Sequence, residues 1–369
     1  MSVYLDYSAT TPLDPRVLEA MMPYFTEIYG NPSSIHSVGR KAKGAVETAR
    51  KKLAKLLSCQ AGELIFTSGG TEADNLALTG TVQAHGIKNI ITSPIEHHAV
   101  LRTVDAIKKE FNVSVHYVDL LPSGEMDLSS LIVLLREHPN ALVSIMHGNN
   151  EIGVLNPVDR IKDLCATYDA IFHSDTVQTI SHQRFTPDIL PDLAVASAHK
   201  FYGPKGVGFL YAKKRPSALV HGGGQERELR GGTENVASIV GMVKALELAY
   251  EELEERELHL QKCKEYLITQ LQKNINNALF NQPEEGLSSI VSLSIPKPEL
   301  AQTLLFSLDL GGISVSGGSA CASGALQGSH VLKAIHGEGN VLPTIRFSLG
   351  KATTIQELDK TVEVLIGIL

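Results

Sequence analysis

Short apolar segments alternate with amphipathic segments between residues 60 and 215, and this alternation restricts the fold more than any other feature. The apolar segments are nearly continuous runs of β-branched or small residues, which is typical of strands covered on both faces. We predict strands at 64–67, 89–92, 113–118, 142–146, 170–173, 193–197 and 208–212. We predict helices between them at 72–84, 99–111, 128–137 and 158–167. Such alternation predicts an α/β fold with a mostly parallel seven-stranded sheet, whose ligands bind at the carboxyl ends of the strands.

The remaining chain predicts a second, smaller α+β domain, since 369 residues are too many for one simple core. A charged helical stretch at 233–277 leads into it, and its charges are expected to form a solvated helix face. Its expected elements are a strand at 290–295, a helix at 299–308, a Gly/Ser-rich loop at 311–328, a strand at 344–348 and a helix at 355–368. We predict a large domain of residues 16–250 and a small domain of residues 1–15 and 251–369, with an N-terminal arm.

Composition excludes several classes of protein. A hydrophobic content of 43% and a charged content of 20% are ordinary for a soluble globular protein. The net charge of −7 and the lack of a long basic run argue against nucleic acid or anionic membrane as the main partner. The first six residues resemble no signal peptide, and no run of about 18 apolar residues predicts a membrane span. The four cysteines are far apart in the sequence: Cys59, Cys165, Cys263 and Cys321. This dispersal predicts neither a zinc site nor a disulfide framework, and a cytoplasmic location is expected.

Lys200 is the first candidate for chemistry. It follows a small-residue apolar run at 193–198 and precedes a Gly-Pro turn. A lysine in a partly desolvated place has a lowered pKa and can act as a nucleophilic amine, as the Schiff-base lysine of an aldehyde cofactor must. Ser197 and His199 flank it with groups that could hold a phosphate. An ordinary solvated loop lysine is an equally good interpretation of this segment alone.

Two further segments offer an anion cradle and a buried carboxylate. Residues 66–73 predict a strand, a Gly-rich turn and a helix start, where backbone N–H groups and the Thr71 hydroxyl can hold an anion. An ordinary capped turn is slightly favoured for this segment by itself. Asp175 ends another predicted strand, where a carboxylate requires a partner such as a protonated pyridine nitrogen. A carboxylate that caps the following helix is the alternative.

The adjacent residues His97 and His98 suggest a metal site at first. Neighbouring side chains point to different sides, however, and no cysteine or third histidine has ligand spacing, so we predict no metal. We instead expect the His97 ring to stack on a cofactor and to be positioned for proton transfer. His98 is expected to be structural or to face the solvent.

Three more segments contain candidate residues for binding or catalysis. The amides of residues 149–150 can donate to an oxygen of a ring or substrate, although a turn-forming Asn pair is the simpler interpretation. Cys321 lies in a loop of small residues, where it is either a mobile nucleophilic thiol or a chance surface cysteine. Arg346 lies half-buried in an apolar strand and requires a carboxylate, from a substrate or from an internal Asp or Glu.

Together these groups predict pyridoxal 5′-phosphate (PLP) chemistry on an amino acid. The chain resembles the cysteine desulfurases, PLP enzymes of fold type I in the class-V aminotransferase group. The resemblance extends over nearly the whole chain, and its motifs lie at 4–12, 30–34, 67–75, 96–97, 149–153, 198–200, 230–233 and 318–321. The loop around Cys321 resembles the long mobile loop of the housekeeping and nitrogen-fixation branch.

The resemblance implies a role for each residue that contacts the cofactor. Lys200 forms the Schiff base and then moves protons, while Asp175 pairs with the pyridine nitrogen. Gln178 contacts the ring hydroxyl and His97 stacks on the ring. Four residues hold the phosphate: Gly70, Thr71, Ser197 and His199.

The resemblance also implies the reaction and the partners. Thr233 reaches the phosphate of the neighbouring subunit, which implies a homodimer. Asn150 and Arg346 orient L-cysteine, Arg346 through the substrate carboxylate, and Asn150 also contacts the cofactor. Cys321 takes the sulfur as a persulfide for an acceptor such as an iron–sulfur scaffold, and alanine is released. One alternative is a PLP aminotransferase or a selenocysteine lyase, in either of which Cys321 is not essential. Another is a non-catalytic protein that keeps only the fold.

Overall fold

The computed structural model describes residues 2–317, 329–339 and 342–369. The strands within these residues are β1 (Val3–Tyr4), β2 (Leu64–Thr67), β3 (Asn89–Thr92), β4 (Ser114–Tyr117), β5 (Leu142–Ser144), β6 (Ile171–Asp175), β7 (Leu193–Ser197), β8 (Gly208–Ala212), β9 (Leu279–Phe280), β10 (Ile290–Ser294), β11 (Ile313–Ser314) and β12 (Thr344–Ser348). The α-helices are α1 (Pro15–Met21), α2 (Pro23–Thr26), α3 (Ser37–Leu56), α4 (Gly70–His85), α5 (His98–Phe111), α6 (Leu128–Glu137), α7 (Val158–Thr167), α8 (Val236–Glu251), α9 (Leu253–Asn274), α10 (Leu304–Leu310), α11 (His330–His336) and α12 (Ile355–Ile368).

The central sheet has seven strands in the order β2-β8-β7-β6-β5-β3-β4. The neighbours from β7 to β4 are parallel, and β8 runs antiparallel to both β2 and β7. Alternate residues of β7 pack in different cores. Ala194 and Ala196 pack towards α3 and α8, while Leu193 and Val195 pack towards α4 and α5. Helices therefore cover both faces, which confirms the predicted mostly parallel α/β sheet.

A second core surrounds a smaller antiparallel sheet of β12, β10 and β9. Buried residues of α9, α10 and α12 pack on it, together with Val3 and Leu5 from the start of the chain. β1 pairs in parallel with β11, and Ser348 N–H donates to Leu5 O over 2.7 Å. The division into residues 16–250 and residues 1–15 with 251–369 stays a prediction.

Some predicted boundaries differ from the structure for local reasons. The strand at 142–146 ends at Ser144. Met146 N–H donates to the buried Glu96 side chain, while His147 N–H still donates to Asp175 O of β6. The helix at 299–308 is instead a 3₁₀ turn at Pro298–Leu300 followed by α10. The charged face at the start of α9 is not wholly solvated. Arg256 is buried there and donates to the carbonyl oxygens of Ala249 and Ser181. The predicted loop at 311–328 contains β11, and its residues 318–328 lie outside the described part.

No helix among the described residues is long and apolar enough to span a membrane.

The turn after β2 lies in close contact with β8. A Cβ built on Gly208 would lie 2.8 Å from Gly69 Cα and 2.4 Å from Ala196 O. These distances are shorter than van der Waals contact, and both neighbours are backbone atoms. A residue without a side chain is therefore required at position 208 for the turn to rest on the sheet.

We expect Gly208→Ala to lower the free energy of unfolding by about 1–3 kcal/mol, because the new methyl group forces two backbone segments apart. The matched control is Gly44→Ala, at an exposed position of helix α3, whose added Cβ has nothing within 4 Å. The control should raise the free energy of unfolding by about 0.5–1 kcal/mol through helix propensity. Urea unfolding measures both, and a Gly208→Ala protein as stable as wild type would contradict the prediction.

Candidate active site

One cavity of ≈ 220 Å³ lies at the carboxyl ends of β6 and β7 and at the start of α4. The predicted site residues that line it are Gly70, Thr71, His97, Asn150, Asp175, Gln178, Ser197, His199, Lys200 and Arg346. Sequence reasoning missed its other lining residues, which are Ser8, Ala9, Asp74, Met146 and Val177. Thr233 is exposed and outside this cavity, and Cys321 lies outside the described residues.

The Gly-rich turn forms one end of the cavity. Gly70 begins α4, and a Cβ on it would meet Val177 Cγ2 at 3.0 Å. The N–H groups in the first turn of a helix lack intrahelical partners, and the helix dipole favours an anion there. An adjacent, more open cavity of ≈ 460 Å³ is also lined by this turn, Ser197 and His199. The four predicted phosphate residues thus line both cavities.

His199 enters the site as a neutral imidazole. Its Nδ1 is 3.2 Å from Thr10 Oγ1. Burial lowers its pKa to about 4, and the nearby Lys200 and Lys205 lower it further in the same direction. At neutral pH His199 therefore offers hydrogen bonds to an anion without carrying a charge.

Asp175 ends β6 with its carboxyl group buried in the cavity wall. Its Oδ1 accepts a hydrogen bond from Val177 N–H over 2.9 Å, which closes a turn. No helix lies among the described residues 176–192 between β6 and β7, so the alternative role as a helix cap is wrong. Burial raises the pKa of Asp175, while His97 and Lys200 act to lower it. A buried carboxyl group near the Lys200 amine is suited to bind a protonated ring nitrogen.

His97 caps the start of α5. Its Nδ1 accepts from Ala99 N–H over 3.2 Å, so the neutral ring carries its proton on Nε2. Burial lowers the pKa of His97, which keeps the ring neutral at the cavity wall. His98 is structural: its ring lies 4.5 Å from that of His330, whose Nε2 is 2.9 Å from Glu96 O.

Lys200 is held by the start of the chain. Its Nζ donates to Ser8 O over 2.5 Å and to Ala9 O over 3.0 Å. Gln178 Nε2 donates to the same Ser8 carbonyl over 3.1 Å. Two backbone oxygens thus fix the amine at the cavity wall. No side-chain chemistry at Ser8 or Ala9 could have revealed this role, since only their carbonyl groups act.

Arg346 is more buried than expected, with 1% of its surface exposed. Its Nη2 donates to Asp6 Oδ1 over 2.7 Å and its Nη1 to Asn150 O over 2.9 Å. The internal carboxylate is therefore the partner of one edge of the guanidinium. Its Nε is buried without a hydrogen-bond partner among the described residues. The guanidinium lines the cavity and places its positive charge there, which suits an anionic ligand.

The two neighbouring asparagines have different roles. Asn149 is fully buried and structural, with Nδ2 donating to Ile95 O over 2.9 Å and Oδ1 accepting from Glu151 N–H over 2.8 Å. This is the turn-forming role that the sequence left open. Asn150 lines the cavity instead.

The chemistry of these residues fits PLP. One cavity combines an amine, a buried carboxyl group, a neutral imidazole, a helix start and a guanidinium. Each complements a different part of a phosphorylated pyridine aldehyde or of its amino-acid partner. Among the residues described, no three or more His, Cys, Asp or Glu side chains are grouped to hold a metal ion.

A mostly parallel sheet covered by helices, with this site at its carboxyl edge, defines a PLP enzyme of fold type I. The family model described as aminotransferase class-V matches residues 3–361. The chain belongs to this family, which is PLP-dependent.

Known proteins similar to the chain agree with this assignment. The cysteine desulfurase IscS of Dictyoglomus turgidum is 44% identical, over 98% of this chain and 93% of that protein. A solved NifS-like protein has a TM-score of 0.91 at 38% identity, covering 100% of this chain and 99% of its own. A structure described as SspA in complex with cysteine has a TM-score of 0.83 at 30% identity, covering 96% of this chain and 100% of its own.

His147 gives a pH-dependent stability. It is buried next to the site, and its Nδ1 is 2.9 Å from Thr179 Oγ1. Burial lowers its pKa from 6.5 to about 4, so below pH 6.5 the unfolded chain binds a proton that the folded chain does not. Stability is therefore lost as the pH falls from about 6.5 towards 4.

We expect His147→Gln to reduce the loss of unfolding free energy between pH 7 and pH 5 by about 2 kcal/mol relative to wild type. Urea unfolding at the two pH values measures this loss. The control His221→Gln, at an exposed position, should leave it unchanged. An equal loss in wild type and His147→Gln would refute the assignment.

Proposed function

We propose that this chain is a cysteine desulfurase, which uses PLP to convert L-cysteine to L-alanine and passes the sulfur to Cys321. The observation that carries the proposal is one cavity in which Lys200, Asp175 and the Arg346 guanidinium meet. Membership of a PLP-dependent family supports the cofactor. The similarity to IscS and to a structure that contains cysteine supports the substrate.

Each wall of the cavity would hold one part of the cofactor. Lys200 would bind its aldehyde carbon, Asp175 its ring nitrogen and Gln178 its ring hydroxyl, with His97 and Asn150 against the ring. The phosphate would lie at the start of α4, with Gly70, Thr71, Ser197 and His199. When bound, PLP supplies an electron sink for the negative charge that develops on the substrate α-carbon.

The protein's own groups orient the substrate and move protons. Arg346 is fixed by Asp6 and by the Asn150 carbonyl, so its positive charge is held at the cavity wall, where it would attract the substrate carboxylate. The Lys200 amine, placed by the carbonyl groups of Ser8 and Ala9, takes the proton from the α-carbon. Neutral His97 carries a proton on Nε2 that it can give to a developing negative charge.

Cys321 completes the reaction. Its thiolate attacks the substrate sulfur, a sulfur–sulfur bond forms, and the carbon–sulfur bond of the substrate breaks. The electron pair of that bond stays with the substrate carbon, which gains protons to become alanine. L-cysteine and the Cys321 thiol thus give L-alanine and a Cys321 persulfide, from which an acceptor takes the sulfur. An iron–sulfur scaffold is one such acceptor.

We propose a homodimer in which Thr233 of each chain reaches the phosphate site of the other. The exposed position of Thr233 outside its own cavity supports this, as does the open second cavity along the phosphate-binding turn. Arg230 fixes the base of its loop by donating from Nε to Glu72 Oε1 over 2.8 Å. A cytoplasmic location stays a prediction based on cysteine usage.

We expect Cys321→Ala to lose sulfide release from L-cysteine in the presence of a thiol reductant, together with the matching release of alanine. Cys263→Ala is the matched control, since Cys263 is buried in the second core and lines no cavity described here. The control should retain both products. Alanine or pyruvate formation that survives in Cys321→Ala would point to an aminotransferase or lyase instead.

The shared-site proposal predicts complementation between two inactive variants. Lys200→Ala and Thr233→Asp should each be inactive alone. After subunit exchange, a mixed dimer has one site with Lys200 and Thr233 both intact, so about a quarter of all sites should regain activity. Sulfide release after mixing measures this recovery. No recovery, despite mixed dimers detected by mass spectrometry, would place Thr233 outside the partner's site.

A further inference from the structure

Two buried side chains beneath the cavity face each other without a completed hydrogen bond. Asp74 lies on α4 and lines the cavity, while His173 lies on β6. Asp74 Oδ1 and His173 Nε2 are 3.4 Å apart, and 1% and 0% of their side chains are exposed. Neither atom has another hydrogen-bond partner among the described residues. A single proton between them would satisfy both atoms.

The strand pattern connects this pair to Asp175. His173 and Asp175 are two residues apart on β6, so their side chains lie on the same face of the sheet. Asp74 packs on that face from α4 and lines the same cavity as Asp175. Two carboxyl groups therefore share one buried region. A third, Glu96, has a buried Oε2 without a partner among the described residues.

The other side of the His173 ring is also held. Its Nδ1 is 2.9 Å from Ser144 Oγ, and Ser144 lies directly opposite His173 on β5. With the ring proton on Nδ1, the imidazole donates to Ser144 and leaves Nε2 as an acceptor facing Asp74. With the ring proton on Nε2, the imidazole donates to Asp74 Oδ1, which is the arrangement that an ionised Asp74 favours.

The charges around Asp74 decide between these two arrangements. An ionised Asp74 would be a buried negative charge beside Asp175 and Glu96, and like charges in one buried site cannot all be ionised. A neutral carboxyl group on Asp74 removes this repulsion and donates to His173 Nε2. Burial and the neighbouring Asp175 and Glu96 raise the pKa of Asp74, and burial lowers that of His173 to about 3.

We propose that Asp74 is a positioning residue that holds a proton against His173, so that Asp175 is the carboxyl group that carries the negative charge in the cavity. The inference rests on the proposed function, in which Asp175 binds the cofactor ring nitrogen. The inference explains from the protein's own groups why Asp175 can be charged. Asp74, the other carboxyl group on this face of the sheet, is kept neutral by its hydrogen bond to His173.

Infrared spectroscopy of the cofactor-free protein at pH 7 tests the location of the proton. Compared with wild type, Asp74→Asn should lack one C=O stretching band of a protonated carboxylic acid. Glu96→Gln is the matched control, because Glu96 is another buried carboxyl group at this site and its loss should leave the Asp74 band in place. The loss of a carboxylate band in Asp74→Asn would overturn the proposal. This readout does not depend on desulfurase activity, so it stands or fails separately from the proposed function.

Affinity for PLP provides a second test. Asp74→Leu leaves His173 Nε2 without a donor and should weaken PLP binding by about tenfold or more. Asp74→Asn keeps a neutral donor and should restore the affinity to within about threefold of wild type. If Asp74→Asn weakens PLP binding as much as Asp74→Leu, the negative charge of Asp74 is required and the proposal is wrong. Should Asp74→Leu fail to fold, the infrared result and the Asn variant still decide the question.

Discussion

The parallel arrangement of β3, β5, β6 and β7 is the constraint on which the rest of the structure depends. Parallel strands bring their carboxyl ends to one edge, so groups that are far apart in the chain meet there without any long-range signal in the sequence. His97 follows β3, Asn150 follows β5, Asp175 ends β6 and Lys200 follows β7. The chemistry of the cavity is a consequence of this geometry.

Burial of charge determines how the cavity works. Three carboxyl groups, those of Asp74, Glu96 and Asp175, are nearly inaccessible to water in this region. Such groups persist only when each is protonated, paired or hydrogen-bonded. Glu96 uses one oxygen to accept from Met146 N–H, and Asp175 accepts from Val177 N–H. The carboxyl groups thus stabilise the local backbone as well as shape the charge of the site.

Much of the fold could be predicted from sequence, because the strands are short apolar runs bounded by clear turns. β2, β3, β7 and β8 have the predicted limits, as does α6. β5 was predicted too long. Met146 N–H, at its predicted end, donates to the buried Glu96 side chain, and such a long-range contact leaves no local pattern.

The candidate site was predictable wherever a residue's own chemistry marks it, as for Lys200, Asp175 and His97. Asp6, Ser8 and Ala9 were missed as partners, since they act through contacts with residues about 190 or 340 positions away. Asp74 was missed because its position in the motif at 67–75 resembles an ordinary helix residue. Only the packing of α4 on β6 reveals its partner.

The attachment of the N-terminal segment has a consequence for the order of folding. Its residues are synthesised first, yet β1 pairs with β11, and Leu5 O accepts from Ser348, near the end of the chain. The same segment supplies the carbonyl groups that hold Lys200. Contacts of such sequence separation form slowly, because a very long loop must close before they are gained. The segment is therefore attached in two stages: Thr11 N–H, which donates to His199 O, can join it to the lysine turn as the central sheet forms, whereas the pairing of β1 with β11 must wait for the second core.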